Sequence, residues 1–229
     1  MMGHKNETRI KVVANALAEL NQTIVFVGGA VVGLYCDDAA RIESRPTDDV
    51  DVVIEILSRS DYAKLEEKLR QTGFQPDRNS PVICRYKYHD IVVDIMPSEG
   101  EILGFTNRWY HDGVSNTVTI KLDDDVTIKV FEVAYFLASK MEALKSVRRG
   151  NDFRWNSDFE DIIYLFDNRT TLSTDLLQAN EVLKNYFKDA FAQILDRPNI
   201  YEEVAANLEF PGQNERRARI VKIWEEIAY

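Results

Sequence analysis

Apolar positions recur with two different periods along this chain. Residues 7–20 repeat at helical spacing, with Ile10, Val13, Ala14, Leu17 and Leu20 on one face. The run 24–27 predicts a strand that ends in Gly28-Gly29, and a helix is expected from about 30 to 40. A second strand, rich in β-branched residues, opens at Asp49 and runs to about 57. Ser60 is placed to cap a helix that reaches Arg70, with Gly73 at its end. Strands near 82–88 and 90–96 predict a hairpin turning at His89-Asp90, and 117–122 with 126–130 predict another around Asp123-Asp124-Asp125. Turns favour Asp, so the triple Asp reads as a solvated turn. From Phe131 onward the period is helical: 131–147, 158–168, 175–195, 200–208 and 214–228 each carry an apolar stripe, with Pro198 and Pro211-Gly212 as punctuation. Ser157 with Glu160 fits a capping box at the head of the second of these helices. The pattern predicts an α+β fold, with a mixed α/β part over residues 1–130 and a helical domain over 131–229.

Composition narrows the class. The chain has 229 residues, 45% apolar and 29% charged, the profile of a soluble globular protein with a sizeable core. No apolar run approaches the ~20 residues that span a bilayer, and the N-terminus lacks the apolar core of a signal peptide. A cytoplasmic location without membrane attachment is therefore expected. Cys36 and Cys84 suit a reduced compartment and fall short of a zinc or disulfide framework. His4, His89 and His111 show no metal-ligand spacing. The net charge of −10 argues against broad nonspecific nucleic-acid binding, although a local basic groove is compatible with it.

The strand that opens at Asp49 carries the chemistry. Side chains alternate across a strand, so Asp49 and Asp51 share a face. At ~4 Å and an effective dielectric of ~20 their repulsion costs about 4 kcal/mol, and a divalent cation is the usual neutraliser. Upstream, a strand, a glycine turn at Gly28-Gly29 and a helix N-terminus form a phosphate cradle. A third carboxylate, Asp94, sits among apolar neighbours in the strand 90–96, where an unpaired charge is costly. Lys140 lies on or beside the apolar stripe of helix 131–147, placed either to snorkel or to face a buried anion. Lys145, Arg148, Arg149 and Arg154 follow as a basic cluster in an acidic protein.

These residues resemble a known superfamily. Gly28-Gly29, then Asp49-Val50-Asp51 opening a strand, then Asp94 in a later strand, is similar to the DNA polymerase beta-type nucleotidyltransferases. The wording Arg45-x-Thr47-x-Asp49-Val-Asp51 is closer to the AbiEii-like nucleotidyltransferases, many of them toxins of toxin–antitoxin pairs. The resemblance covers roughly residues 20–170. It implies a small mixed β-sheet nucleotidyltransferase core flanked by helices, with a C-terminal helical bundle that completes the nucleotide and acceptor site. It implies that Asp49, Asp51 and Asp94 bind Mg²⁺ or Mn²⁺, and that Gly28, Gly29, Thr47, Lys140 and Asp158 serve the nucleoside triphosphate. Many members place a serine where Gly29 stands, so here only backbone donors remain in the loop. The family's lysine just before the helix-opening Asp is replaced by Ser157.

The expected reaction is transfer of a nucleoside monophosphate from a nucleoside triphosphate to an acceptor hydroxyl, with release of pyrophosphate. The toxin branch implies an RNA acceptor such as tRNA and a cognate antitoxin. Three other readings share the residues. One is an antibiotic-type nucleotidyltransferase with a small-molecule acceptor. Another is a non-catalytic nucleotide or metal sensor, against which the three intact carboxylates count. The last is a helical interaction protein that uses Arg216, Arg217, Arg219 and Lys222, for which packing of that helix on the core is the simpler account.

Overall fold

The computed structural model describes residues 5–20, 23–38, 43–56, 58–104, 107–146 and 152–229. It divides into two compact units, Met1–Leu34 with Arg45–Glu132, and Tyr35–Ser44 with Val133–Tyr229.

The first unit is built on one mixed sheet. Its strands are β1 (Ile24–Val27), β2 (Asp49–Ile54), β3 (Gln75–Pro76), β4 (Arg85–Tyr88), β5 (Ile91–Pro97), β6 (Thr117–Lys121) and β7 (Thr127–Phe131), in the order β3-β4-β5-β2-β1-β7-β6. The central pairs β2·β5 and β1·β7 are parallel, and the remaining neighbours are antiparallel. Val25, Val27, Val50, Val52, Val53, Ile54, Val93, Ile95 and Val130 are buried almost completely, which is why the central strands read as β-branched runs. Helices α1 (Lys5–Leu17) and α2 (Arg59–Gln71) belong to the same unit and bury Ile10, Val13, Leu65 and Leu69. Two short helices, α3 (Gly100–Leu103) and α4 (Tyr110–Ser115), were not expected from the pattern, nor was the two-residue β3.

Local chemistry moves several expected boundaries. The helix expected from about 30 to 40 is a 3₁₀ helix, Gly29–Tyr35. Its sequence has two valines and a second glycine, all weak α-helix formers, and short 3₁₀ turns tolerate them. Helix α2 is capped by Ser58 rather than Ser60: the Ser58 hydroxyl accepts from the Asp61 N–H at 3.2 Å. The hairpin β4–β5 turns at His89-Asp90 as expected, with His89 at φ 53°. The Asp123-Asp124-Asp125 segment is a turn: Asp123 Oδ1 accepts from the Asp125 and Val126 N–H groups at 3.0 and 2.8 Å.

The second unit is helical: α5 (Val133–Leu144), α6 (Ser157–Asn168), α7 (Leu172–Gln178), α8 (Glu181–Leu195), α9 (Ile200–Ala206) and α10 (Gln213–Ala228). The single helix expected over 175–195 is two. Ala179 is extended, and Asn180 caps α8 by accepting from the Leu183 N–H at 3.0 Å. Trp224 anchors the core with its ring 5.6–6.2 Å from those of Phe159, Phe166 and Phe191. Helix α10 packs through Ile220, Val221, Trp224 and Ala228. Arg216 and Arg219 on its flank hold the buried carboxylate of Asp167, and Arg217 lies over the Tyr201 ring. Among the described residues no helix is long and apolar enough to cross a membrane.

Candidate active site

Strand register alone brings three carboxylates together. Asp49 and Asp51 alternate with buried Val50 on β2, and the parallel pairing sets Asp51 directly beside Asp94 on β5. Neighbours in register share a face of the sheet. One oxygen from each of Asp49, Asp51 and Asp94 lies within 4.8 Å of the others, close enough for a shared metal ion. Asp94 is buried, and the other two are half-buried.

A cation already sits among them, on a residue that sequence reasoning missed. Arg85 on β4 forks onto Asp94, Nε to Oδ1 at 2.8 Å and Nη2 to Oδ2 at 2.7 Å, and Nη2 also donates to Asp49 Oδ2 at 2.9 Å. These bonds to Asp94, with the charges of Asp49 and Asp51 behind them, raise the guanidinium pKa further above its ordinary high value. The signal was present: a hairpin with a two-residue turn at His89-Asp90 pairs Tyr88 with Ile91 and, three steps back, Arg85 with Asp94. Next to it, burial and then the charge of Asp94 push the Cys84 thiol up to about 12. Cys84 is therefore a neutral core residue at physiological pH rather than a nucleophile.

The segment before β2 is tied down by α1. Asn6 Nδ2 donates to the Arg45 carbonyl at 2.9 Å, its Oδ1 accepts from the Thr47 N–H at 3.0 Å, and Arg9 donates to the Thr47 carbonyl. The Thr47 hydroxyl donates to the Asp49 carbonyl at 2.8 Å, so Thr47, itself buried, holds Asp49 in place. Gly28 has φ +73°, and a Cβ there would stand 1.9 Å from Asp51 Oδ2. Only glycine permits both the left-handed backbone and the close approach of that carboxylate. Gly29 follows as the first residue of the 3₁₀ helix.

The residues fit a divalent cation on three counts. The donor set is all carboxylate oxygen, which suits Mg²⁺ or Mn²⁺. A guanidinium already occupies the position of a counter-cation. Gly28, lacking a Cβ, lets the Asp51 carboxylate pack against the backbone on the face it shares with Asp49 and Asp94.

In the helical unit the structure joins Lys140 and Asp158 and adds Asp161. Lys140 Nζ lies 2.9 Å from Asp158 Oδ1 and 2.7 Å from Asp161 Oδ2, and all three side chains are buried. Burial opposes the charge on Lys140, but Asp161 and Asp158 more than offset it and hold the ammonium pKa above its usual value. Asp158 and Asp161 lie one turn apart on α6. That helix is capped by Asn156, rather than by Ser157: Asn156 Oδ1 accepts from the Asp158 and Phe159 N–H groups at 2.9 and 3.2 Å.

Of the basic cluster, Arg148 and Arg149 lie outside the described residues, as does His4. Arg154 pairs with Asp152 at 2.6 Å, and Lys145 pairs with Glu142 at 2.8 Å. His89 sits in the β4–β5 turn, and His111 faces Glu99. Neither approaches a set of metal-binding groups among the described residues.

Comparison with known proteins bears on the family and the fold. The model of the family described as nucleotidyl transferase AbiEii toxin, type IV toxin–antitoxin system, matches residues 12–225. Among solved structures, the chain is similar to an antigenic nucleotidyltransferase-like protein from Paracoccidioides brasiliensis. That match has 17% identity and TM-score 0.52, and covers 90% of this chain and 94% of the other. It is also similar to JHP933 from Helicobacter pylori, with 11% identity, TM-score 0.51, and coverage of 97% and 90%. At these identities the likeness speaks to the fold. No curated protein matches the chain.

Proposed function

The chain belongs to the AbiEii nucleotidyltransferase family and is a nucleotidyltransferase, and from that premise we propose that it moves a nucleoside monophosphate from a nucleoside triphosphate to a hydroxyl of an RNA such as tRNA, releasing pyrophosphate. The observation that carries this reading is the convergence of Asp49, Asp51 and Asp94 within 4.8 Å on neighbouring strands. Mg²⁺ or Mn²⁺, if held by these carboxylates, would supply charge neutralisation for the phosphates and activation of the attacking hydroxyl. Asp49 and Asp51 hold the cations, and Asp94 completes the set and accepts the proton of the attacking hydroxyl. Gly28 and Gly29 offer backbone N–H groups to the β- and γ-phosphates. Thr47 keeps Asp49 in register for this task. Lys140 and Asp158 are assigned to the nucleotide as the resemblance implies, with Asp161 as their buried partner.

The family's place in toxin–antitoxin systems supports a cognate antitoxin as partner. A small-molecule acceptor is the second reading. It is favoured by the net charge of −10 and by the neutralisation of Arg154 and Lys145 by neighbouring carboxylates.

The test is transfer of label from an α-labelled triphosphate to total cellular RNA in Mg²⁺. Asp49→Asn and Asp51→Asn should each lose at least ~10² in rate, the scale of one lost preorganised electrostatic contact. Full transfer by either variant overturns the carboxylate assignment. Transfer measured against salt then separates the acceptors. An RNA held through phosphate contacts gives a steep fall, whereas a flat response moves the small-molecule acceptor to first place.

A further inference from the structure

Arg85 stands where the proposed chemistry needs something else. The register of the β4–β5 hairpin sets it opposite Asp94, and the β2·β5 register sets Asp94 beside Asp51, so the guanidinium is delivered to the carboxylate face by backbone pairing. Nη2 lies 2.7 Å from an oxygen of Asp94 and 2.9 Å from an oxygen of Asp49, spanning the edge that a cation shared by those two side chains would occupy. A Mg²⁺ ion takes carboxylate oxygens at ~2.0–2.1 Å, so ion and guanidinium compete for the same lone pairs and repel each other at that distance. The grip is unequal. Asp94 receives two hydrogen bonds and Asp49 one, so Asp49 is the first to be released.

We propose that Arg85 is a built-in competitor for the metal. It holds Asp49 and Asp94 together before loading, yields Asp49 to a first ion shared with Asp51, and keeps Asp94 from completing a second ion site until it withdraws. The inference rests on the reading of the three carboxylates as a metal site. It gives the site an order of assembly. The first ion binds to the protein alone. The second binds well only when an incoming triphosphate offers the guanidinium oxygen acceptors to replace Asp94.

The experiment is a Mn²⁺ titration of the full chain, with free Mn²⁺ read by electron paramagnetic resonance and the melting temperature recorded in parallel. The proteins are wild type, Arg85→Ala, Arg85→Lys and Asp51→Asn. Without nucleotide, wild type should take up one ion well and a second at least about tenfold more weakly, as expected for a fixed positive charge next to the second site. Arg85→Ala should tighten the second ion by about tenfold or more. It should also melt lower than wild type without metal and gain more from Mn²⁺. Arg85→Lys keeps a cation without the fork and should fall between. It carries the test if Arg85→Ala does not fold.

Equal Mn²⁺ stoichiometry and affinity in wild type and the Arg85 variants, with binding lost in Asp51→Asn, would overturn the competition while leaving the metal site standing. Absence of Mn²⁺ binding in wild type and both Arg85 variants would remove the metal reading itself, and this inference with it.

Discussion

The protein contains two clusters in which a basic side chain is held by carboxylates, one in each compact unit. On the sheet, Arg85 touches Asp49 and Asp94, with Asp51 alongside, and the side chains of Arg85 and Asp49 keep 26% and 32% of their exposure. In the helical unit, Lys140 touches Asp158 and Asp161, and the three side chains keep 8%, 6% and 1%. Both carry an excess of negative charge, and they differ in access to water. In the sheet cluster Arg85 and Asp49 are part-exposed while Asp94 keeps only 10%, and the cation sits on a long stem, so another cation can replace it on Asp49 at modest desolvation cost. The helical cluster is closed, and removing its cation strands two anions in a low-dielectric interior. An exchangeable counter-charge suits the metal and triphosphate loading proposed for this site. A fixed one suits a framework that holds α5 against α6. Lys140 therefore has a structural task whatever else it does for the nucleotide.

The strongest way to break that comparison is Lys140→Ala. Removing one partner of a buried ion cluster typically costs 3–5 kcal/mol, which for a chain of this length lowers the melting temperature on the order of 10 °C. Thermal unfolding of this variant beside Arg85→Ala measures the contrast, and Lys140→Ala should be the more damaged in metal-free buffer. Equal melting temperatures for Lys140→Ala and wild type would mean the helical cluster is not a closed structural one. Its loss of activity would then be read directly as loss of triphosphate contact.

Gly28→Ala should act in the opposite sense, damaging the site more than the fold. A left-handed backbone at a non-glycine residue costs roughly 1–2 kcal/mol, and the new methyl must displace the Asp51 carboxylate from 1.9 Å. The expected outcome is a modest fall in melting temperature with Mn²⁺ affinity reduced by about tenfold or more. Unchanged Mn²⁺ affinity would show that Asp51 does not need its observed position to bind the ion.

Much of the sheet site was legible in the sequence because strand chemistry is local. A period of two fixes that Asp49 and Asp51 share a face, and the lone Asp94 in an apolar run marks a charge with a task. The strand 24–27, both hairpins and the Asp123–Asp125 turn follow from the same short-range rules. Arg85 was within reach, since a two-residue turn determines its partner, but the arithmetic works only once the turn length is known. The order β3-β4-β5-β2-β1-β7-β6 was not legible. Parallel neighbours are joined by long connections, and no local period encodes which strand lies beside which. In the helical unit the apolar stripes marked the helices, while the break at Ala179-Asn180 and the cap at Asn156 were missed, as was the cap at Ser58 in the first unit. Several polar residues at each boundary were able to cap, and tertiary contacts chose among them. For Lys140 the sequence left snorkelling and a buried anion both open, and Asp161 was not recognised as one of its two acceptors.

Asn156→Ala sharpens the comparison from the helical side. Its side chain caps the helix that carries Asp158 and Asp161, and loss of such a cap costs about 1 kcal/mol. Chemical denaturation should show that loss with Mn²⁺ binding unaltered, because the cap serves the closed cluster and the proposed metal site is the open one. A drop in Mn²⁺ affinity in this variant would show that the two clusters are energetically coupled.

The smallest effect comes from an ion pair still more exposed than either cluster. The His111 ring faces the Glu99 carboxylate, whose hydrogen bond and charge raise the imidazole pKa above its ordinary value. Desolvation opposes this weakly, while Asp112 and Glu55 add to it. A pKa raised in the folded state stabilises the protein fully below the unfolded value of about 6.5, and the benefit disappears as pH rises through the higher folded value. Exposed pairs contribute about 0–1 kcal/mol, and water and salt screen this one. His111→Ala should therefore lower the urea midpoint slightly at pH 5.5 and low salt, and leave it unchanged at pH 9. Added salt should shrink the difference at pH 5.5. A gap of the same size at pH 9 would mean that the ring acts by packing rather than by charge. A gap at pH 5.5 as large as that of Lys140→Ala would remove burial as the reason the two clusters differ.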